Sequence, residues 1–234
     1  SIMGQKNEDH IQFVQFHQSY GYEDFVEGYK PAATGFILQD GTFKRFCKEA
    51  ADAPDEKFFF IIDEINRGNL SKIFGELLML IEKDYRGQAA TLPYSGRSFT
   101  VPKNLYIIGM MNTADRSLAM IDYALRRRFS FVDMEPGFDT DGFKEYMNSK
   151  SSDTMKALVE GIKQLNDDIK EKLGKGFCIG HSYFVFDEPC SDALLKSIVK
   201  YDILPMLAEY WFDDEEQYET WASRLNGVFN NGSK

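Results

Sequence analysis

The residues best suited to chemistry stand together after an apolar run. Phe58-Phe59-Phe60-Ile61-Ile62 leads directly into two adjacent carboxylates, Asp63 and Glu64. A continuous apolar run reads as a strand buried on both faces, and the C-terminal end of such a strand is where parallel α/β sheets bind ligands. One carboxylate there can hold Mg2+, directly or through water. The next can orient and polarise a water for attack on a γ-phosphate. This is a Walker B pattern, with Asp63 on the metal side and Glu64 as base. In the plainer reading, Asp63 caps a turn.

A second apolar run, Leu105 to Met111, ends at Asn112 and continues into Thr113-Ala114-Asp115-Arg116-Ser117. An amide at that strand tip can position the same water. Asp115 can instead cap the helix expected from Leu118, and Arg116 can pair with Asp115. Arg126-Arg127-Arg128 close that helix. Basic residues complement a helix C-terminus, but three successive arginines point in different directions. In an oligomeric nucleotide hydrolase such residues can reach a neighbour's γ-phosphate and stabilise transition-state charge.

These groups need a scaffold. Alternation predicts a strand over Ile11 to Phe16, and continuous apolar runs predict inner strands at Lys57 to Ile62, Leu105 to Met111 and Phe129 to Met134. His17 to Pro31 reads as loop with a short helical piece, and Phe43 to Ala53 as a helix ended by Pro54. Asn69 is placed to cap a helix whose stripe is Ile73, Phe74, Leu77, Leu78 and Ile81. Thr91 to Val101 carries a hairpin signal at Ser95-Gly96. Strands separated by helices predict a parallel α/β sheet. After Gly137 the pattern turns helical: Asp153 to Leu173, then Ser191 to Trp211 interrupted at Pro205, then Glu215 to Leu225. Phe177 to Phe186 reads as partly extended. The expected organisation is an α/β core over 1–137 and a helical subdomain over 138–234.

Composition narrows the classes. Hydrophobic residues are 43% and charged residues 27% of 234, an ordinary globular balance. The formal net charge of −10 makes bulk electrostatic binding of nucleic acid a poor expectation. The three cysteines lack CxxC spacing, which predicts reduced thiols rather than a disulfide framework or zinc site. No apolar run approaches the roughly 18 residues of a membrane span, and the opening residues lack signal-peptide character. A cytoplasmic protein with no membrane role is expected.

The order of motifs, Walker B, asparagine-tipped strand, ALRRRF and helical tail, resembles an AAA+ ATPase. FVQFHQSYGYEDFVEG, IIDEINRGNLSKIFGELL, MNTADRSLAMIDYALRRRF and IGHSYF are similar to the McrB-type family, GTP-hydrolysing motor subunits of 5-methylcytosine-specific restriction systems. The resemblance runs from about Ile11 to beyond Tyr210. It implies an AAA+ P-loop NTPase core followed by an α-helical lid. It also implies Mg2+ and GTP as cofactors, a ring (a hexamer in the family), a nuclease partner, and DNA recognition in a separate domain. By the same resemblance Asn112 is a sensor beside catalytic Glu64, and Asp115 and Arg116 are signature residues near the nucleotide. Arg127 and Arg128 are a pair offered to a neighbouring subunit, and His181 lies in a lid motif where a structural role is expected.

One family element is missing from the 234 residues: no G-x-x-x-x-G-K-S/T occurs, and Lys175 in Gly174-Lys175-Gly176 has no suitable context. The family's first core strand and P-loop are expected upstream of Ser1, and their loss predicts impaired nucleotide binding. That strand would lie between Leu105–Met111 and Phe129–Met134. Its removal predicts association through open strand edges or a rearranged sheet that closes the gap. The alternatives are an ATP-driven machine of chaperone type, or a non-catalytic interaction module with an acidic face over Asp187 to Glu219.

Overall fold

The structure, a computed structural model, describes residues 8–112, 126–187 and 190–230. It divides into two compact units, Ser1–Phe131 and Val132–Lys234.

The first unit is built on a three-stranded parallel sheet of β1 (Ile11–Gln15), β4 (Phe58–Asp63) and β7 (Leu105–Gly109), in the order β1-β4-β7. The register pairs Phe13 with Ile61 and Ile61 with Ile108. Phe58, Phe60 and Ile62 point into the core. There they meet α1 (Tyr22–Phe25), α2 (Thr42–Asp52), α3 (Leu70–Phe74) and α4 (Leu77–Leu80). Phe25 and Phe43 stack at 4.6 Å, and Phe43 meets Phe60 edge-on at 5.0 Å. Each such buried aromatic is worth about 1.5–3 kcal/mol of transfer free energy.

The expectation of two buried faces is corrected. Phe59 and Ile61 are only half-buried, and Phe13 and Tyr106 are exposed. The inner strand expected over Phe129 to Met134 is also not formed. Those residues are irregular, and Val132 and Met134 are 83% and 93% exposed. A strand needs a neighbour for its N–H and C=O groups, and among the described residues β7 pairs only with β4. Among those residues no rearranged sheet closes the gap.

Two hairpins flank the sheet. β5 (Ala89–Thr91) and β6 (Ser98–Thr100) turn through Gly96 at φ +66, as the Ser95-Gly96 signal predicts. β2 (Glu27–Ala32) and β3 (Gly35–Asp40) form a second hairpin, much of it within and just after the stretch expected as loop. The helix expected through Ile81 is capped by Asn69, whose Oδ1 accepts the Lys72 N–H at 3.0 Å. It breaks at Gly75, where φ is +52.

The second unit is helical: α5 (Asp141–Lys150), α6 (Asp153–Lys172), α7 (Asp192–Ile198), α8 (Leu204–Tyr210) and α9 (Glu215–Gly227). Thr140, Ser152, Ser191 and Asp214 side chains accept N–H groups at the starts of α5, α6, α7 and α9. On α6, Met155, Leu158, Ile162, Leu165 and Ile169 form a fully buried stripe. The interruption expected at Pro205 is a π-helical turn, Val199–Ile203. Proline lacks the N–H that α-helical geometry would direct to residue 201, and the widened turn accommodates this. Phe177 to Phe186 is partly extended, as expected: Cys178, Gly180 and Val185 have extended backbone, beside 3-10 turns at Lys175–Phe177 and His181–Phe184. Asn166 fixes this segment by pairing with both backbone groups of Ile179, at 2.7 and 2.9 Å.

Candidate functional site

The end of β4 is held from both sides. Ile62 O accepts the Met110 N–H at 2.8 Å, and Asp63 O accepts the Phe16 N–H at 2.9 Å. Beyond the last strand residue the chain stays stitched, with Ile65 N–H donating to Met110 O at 3.0 Å. Gly109 permits this approach, since a Cβ there would fall 2.6 Å from Ile65 Cδ1. The stretch after Met110, including exposed Asn112, therefore leaves the sheet at the same end as Asp63 and Glu64.

Between these restraints the backbone turns sharply. Glu64 lies at φ 51, ψ 42, the left-handed region. Among the described residues it is the non-glycine with positive φ. That conformation costs on the order of 1–2 kcal/mol for a residue with a Cβ. The Asp63 carboxylate supports the turn, Oδ1 accepting the Glu64 N–H at 2.9 Å. The capping role is therefore present, and the carboxylate's second oxygen remains for another ligand. A 3-10 turn, Ile65–Arg67, follows and runs through Gly68 to the Asn69 cap.

The polar groups on this turn are incompletely satisfied. Glu64 is about four-fifths buried, and its Oε2 lies 3.2 Å from Arg67 Nε as an ion pair. That oxygen and Asn66 Oδ1 are both buried, and neither accepts a hydrogen bond. A buried acceptor left so costs about 1–3 kcal/mol. Strain and unmet hydrogen bonding thus coincide on one four-residue turn.

Arg127 is exposed. Arg128 turns inward, its Nη2 2.7 Å from Glu82 Oε1 and its Nε donating to Leu78 O at 3.0 Å. Asp115 and Arg116 lie outside the described residues. His181 has the structural role expected of it: its Nδ1 accepts the Gly137 N–H at 2.9 Å, and its ring packs edge-on against Phe143.

No group of three His, Cys, Asp or Glu among the described residues is placed to hold a metal. Mg2+ takes one or two carboxylates and draws its other ligands from water and substrate phosphates. Asp63, with one oxygen uncommitted to the turn, fits that part.

Elsewhere in the same unit a different carboxylate is fully satisfied. Glu27 is 0% exposed, with Oε2 2.5 Å from Lys44 Nζ and Oε1 accepting the Ser95 N–H at 2.8 Å. Lys44 also pairs with Asp40 at 2.7 Å, and Asp40 with Lys48. Burial works to raise the Glu27 carboxyl, but Lys44 and Ser95 outweigh it and hold it below its ordinary value. Burial likewise works to lower Lys44, and Asp40 and Glu27 together raise it.

The AAA domain model of the dynein-related subfamily matches residues 4–129. The chain belongs to the AAA family. The model of the McrB α-helical lid domain matches residues 157–219. The chain is 49% identical over 240 residues to the EcoKMcrB subunit of the type IV methyl-directed restriction enzyme of Escherichia coli K12. That match takes in 97% of the chain and 52% of the relative, so the chain spans about half the relative's length. It is 27% identical over 131 residues to component YdiS of the type II restriction enzyme BsuMI of Bacillus subtilis 168, covering 50% of the chain and 38% of that protein. The AAA core, helical lid and McrB-type likeness expected from the motifs agree with these matches.

Sequence reasoning placed Asp63, Glu64 and Asn112 at one sheet end. It passed over Asn66, Arg67 and the Glu27–Lys44 pair. Asn66 and Arg67 follow the carboxylates after Ile65, a signal available from proximity in the sequence. Glu27 and Lys44 are seventeen positions apart and carry no motif. Among the described residues, no helix is long and apolar enough to cross a membrane.

Proposed function

We propose that the protein containing this chain is the cytoplasmic motor subunit of a modified-cytosine-dependent DNA restriction system. It hydrolyses GTP with Mg2+ in a homo-oligomeric ring and works with a nuclease subunit. DNA is read by a domain outside these residues. The observation that carries the reading is the strained, undersatisfied Asp63–Glu64 turn at the C-terminal end of β4, beside the strand that leads to Asn112. A fold keeps such a turn where chemistry needs it. The 49% identity to a restriction-enzyme subunit directs the choice of reaction.

In this mechanism Glu64 takes a proton from the attacking water and Asn112 helps to place that water. Asp63 would hold Mg2+, which would supply charge neutralisation on the nucleotide's phosphates. Asp115 and Arg116 lie near the nucleotide. Arg127 projects to a neighbouring subunit, and Arg128 joins it by giving up Glu82 and Leu78. Residues 1–137 act as the nucleotide-binding core and 138–234 as the lid.

The test is steady-state hydrolysis by the full-length protein with GTP, with ATP, and with Mg2+ removed by EDTA. Mg2+-dependent GTP turnover that excess ATP does not inhibit supports the proposal. Turnover of ATP in preference to GTP assigns the chain to another AAA machine. No turnover of either nucleotide, alone or with the partner nuclease, overturns the hydrolase reading.

A further inference from the structure

We infer that Tyr29, Tyr94, Glu23 and Glu76 form a binding site for an arginine side chain presented by a partner protein. The inference stands apart from the nucleotide-hydrolase reading, which gives the two hairpins of the first unit no part.

Four separate elements bring these residues together. Tyr22 and Glu23 come from α1, Tyr29 from β2, Glu76 from the residue before α4, and Tyr94 from the turn between β5 and β6. Tyr94 Oη donates to Glu23 Oε1, and Tyr22 Oη donates to Glu76 Oε1, each at 2.6 Å. The Tyr94 ring lies 5.9 Å from the Tyr22 ring and 5.9 Å from the Tyr29 ring, edge-on to the latter. Ser95, beside Tyr94, donates its N–H to Glu27 Oε1 and so ties the turn to β2. Tyr22 is buried, while Tyr29 and Tyr94 are 53% and 39% exposed. Aromatic rings held in place by their neighbours yet open to water offer contact area at low entropic cost.

The charges select the ligand. Nearby Asp24 is matched by Lys30, and Glu27 by Lys44. Glu23 and Glu76 are instead bonded by tyrosine hydroxyls, and the exposed Lys72 of α3 acts on Glu23 from a distance. The Tyr94 hydroxyl holds the Glu23 carboxyl below its ordinary value, so that group is ionised at neutral pH. A carboxylate has about four acceptor sites, so each of the two can accept from a further donor. A phenol that donates its proton to a carboxylate carries a more electron-rich ring, which strengthens its attraction for a cation on its face. A guanidinium group answers both features: its plane lies on an aromatic face while its edge directs N–H groups to a carboxylate. A lysine ammonium lacks the flat face. Nucleic-acid bases can stack on such rings, but their phosphates would meet two carboxylates.

The experiment titrates full-length protein into three fluorescent probes and reads anisotropy at low and high salt. The probes are a terminally blocked Gly-Arg-Gly-Arg-Gly peptide, the same peptide with uncharged citrulline for arginine, and a single-stranded oligonucleotide. The arginine peptide is expected to bind about tenfold or more tightly than the citrulline peptide, and more weakly at high salt. Tyr29→Ala is expected to weaken arginine-peptide binding by about 3- to 30-fold. Its thermal midpoint is expected to hold, since that ring is more than half exposed. Tyr29→Phe keeps the ring and is expected to keep the binding. Glu23→Gln keeps an acceptor for Tyr94 but not the charge, and is expected to weaken binding by about fivefold. Equal binding of the arginine and citrulline peptides overturns the inference, as does unaltered affinity in Tyr29→Ala. Oligonucleotide binding that Tyr29→Ala abolishes also overturns it, because the rings are then a base-stacking surface. A lower sedimenting mass in Tyr29→Ala without peptide binding to the unaltered protein overturns it in favour of a contact between copies of this chain.

Discussion

Glu27 and Glu64 are carboxylates of the same unit, each beside a basic residue, and the fold treats them in opposite ways. Glu27 has no exposed surface, and each of its oxygens has a donor within 2.8 Å. Glu64 sits on left-handed backbone, and its buried Oε2 accepts no hydrogen bond, facing Arg67 Nε only as an ion pair at 3.2 Å. The contrast separates a group that stabilises the fold from one that the fold holds at a cost. Charge and burial alone do not make the distinction. Hydrogen-bond completion and backbone strain do.

The largest expected effect falls on the undersatisfied side. Asp63→Asn in the full-length protein is expected to lower Mg2+-dependent GTP turnover by about a hundredfold or more. Steady-state assays across a Mg2+ titration check this. On the satisfied side, Lys44→Met strands the Glu27 charge in the interior and is expected to cost about 3–5 kcal/mol in urea unfolding. Adding Glu27→Gln to that variant should recover much of the loss. If Lys44→Met leaves the unfolding midpoint unchanged, the contrast between the two sites fails.

The arginines extend the comparison. Arg128→Ala removes the partner of Glu82 and the donor to Leu78 O, with an expected cost of about 1–3 kcal/mol. Arg127→Ala is expected to leave the unfolding midpoint in place and to reduce turnover only where subunits assemble. Asn69→Ala removes the cap of α3 and is expected to cost about 1 kcal/mol by the same unfolding measurement.

The ion-pair network also predicts a pH response. The folded pKa of Glu27 is below its unfolded value of about 4.3. Its stabilisation is therefore present above that value and lost as pH falls through the lower folded one. Lys44 is raised, so its contribution is present below about pH 10.4 and lost as pH rises past its folded value. Thermal midpoints measured against pH should drop at both extremes, with a shallower acid limb in Glu27→Gln.

What could be read in the sequence follows the same division between local pattern and three-dimensional accounting. β4 and β7 were readable because their apolar runs are continuous, and α6 because its stripe repeats with helical spacing. Asn69 announced a cap by residue type alone. The β2–β3 hairpin was hidden because it is not apolar-patterned: Phe36 and Ile37 are adjacent and both exposed, so no alternation marks the strand. Gly75 ended a helix that its apolar stripe would have continued. Phe129 to Met134 has a strand's composition but no pairing partner among the described residues, and composition cannot supply one. At the site, Asp63 and Glu64 were legible from adjacency to an apolar run. The unmet acceptor on Asn66 was not, because an unpaired oxygen exists only relative to its folded neighbours.

The most direct test of this account is a paired measurement on full-length Glu64→Gln and Glu27→Gln, reading GTP turnover and thermal midpoint from the same preparations. The account predicts that Glu64→Gln loses about a hundredfold or more in turnover with its midpoint unchanged or raised. Glu27→Gln is predicted to lower the midpoint, with turnover retained below it. Near-normal turnover in Glu64→Gln, or a midpoint that falls as far as in Glu27→Gln, would contradict it.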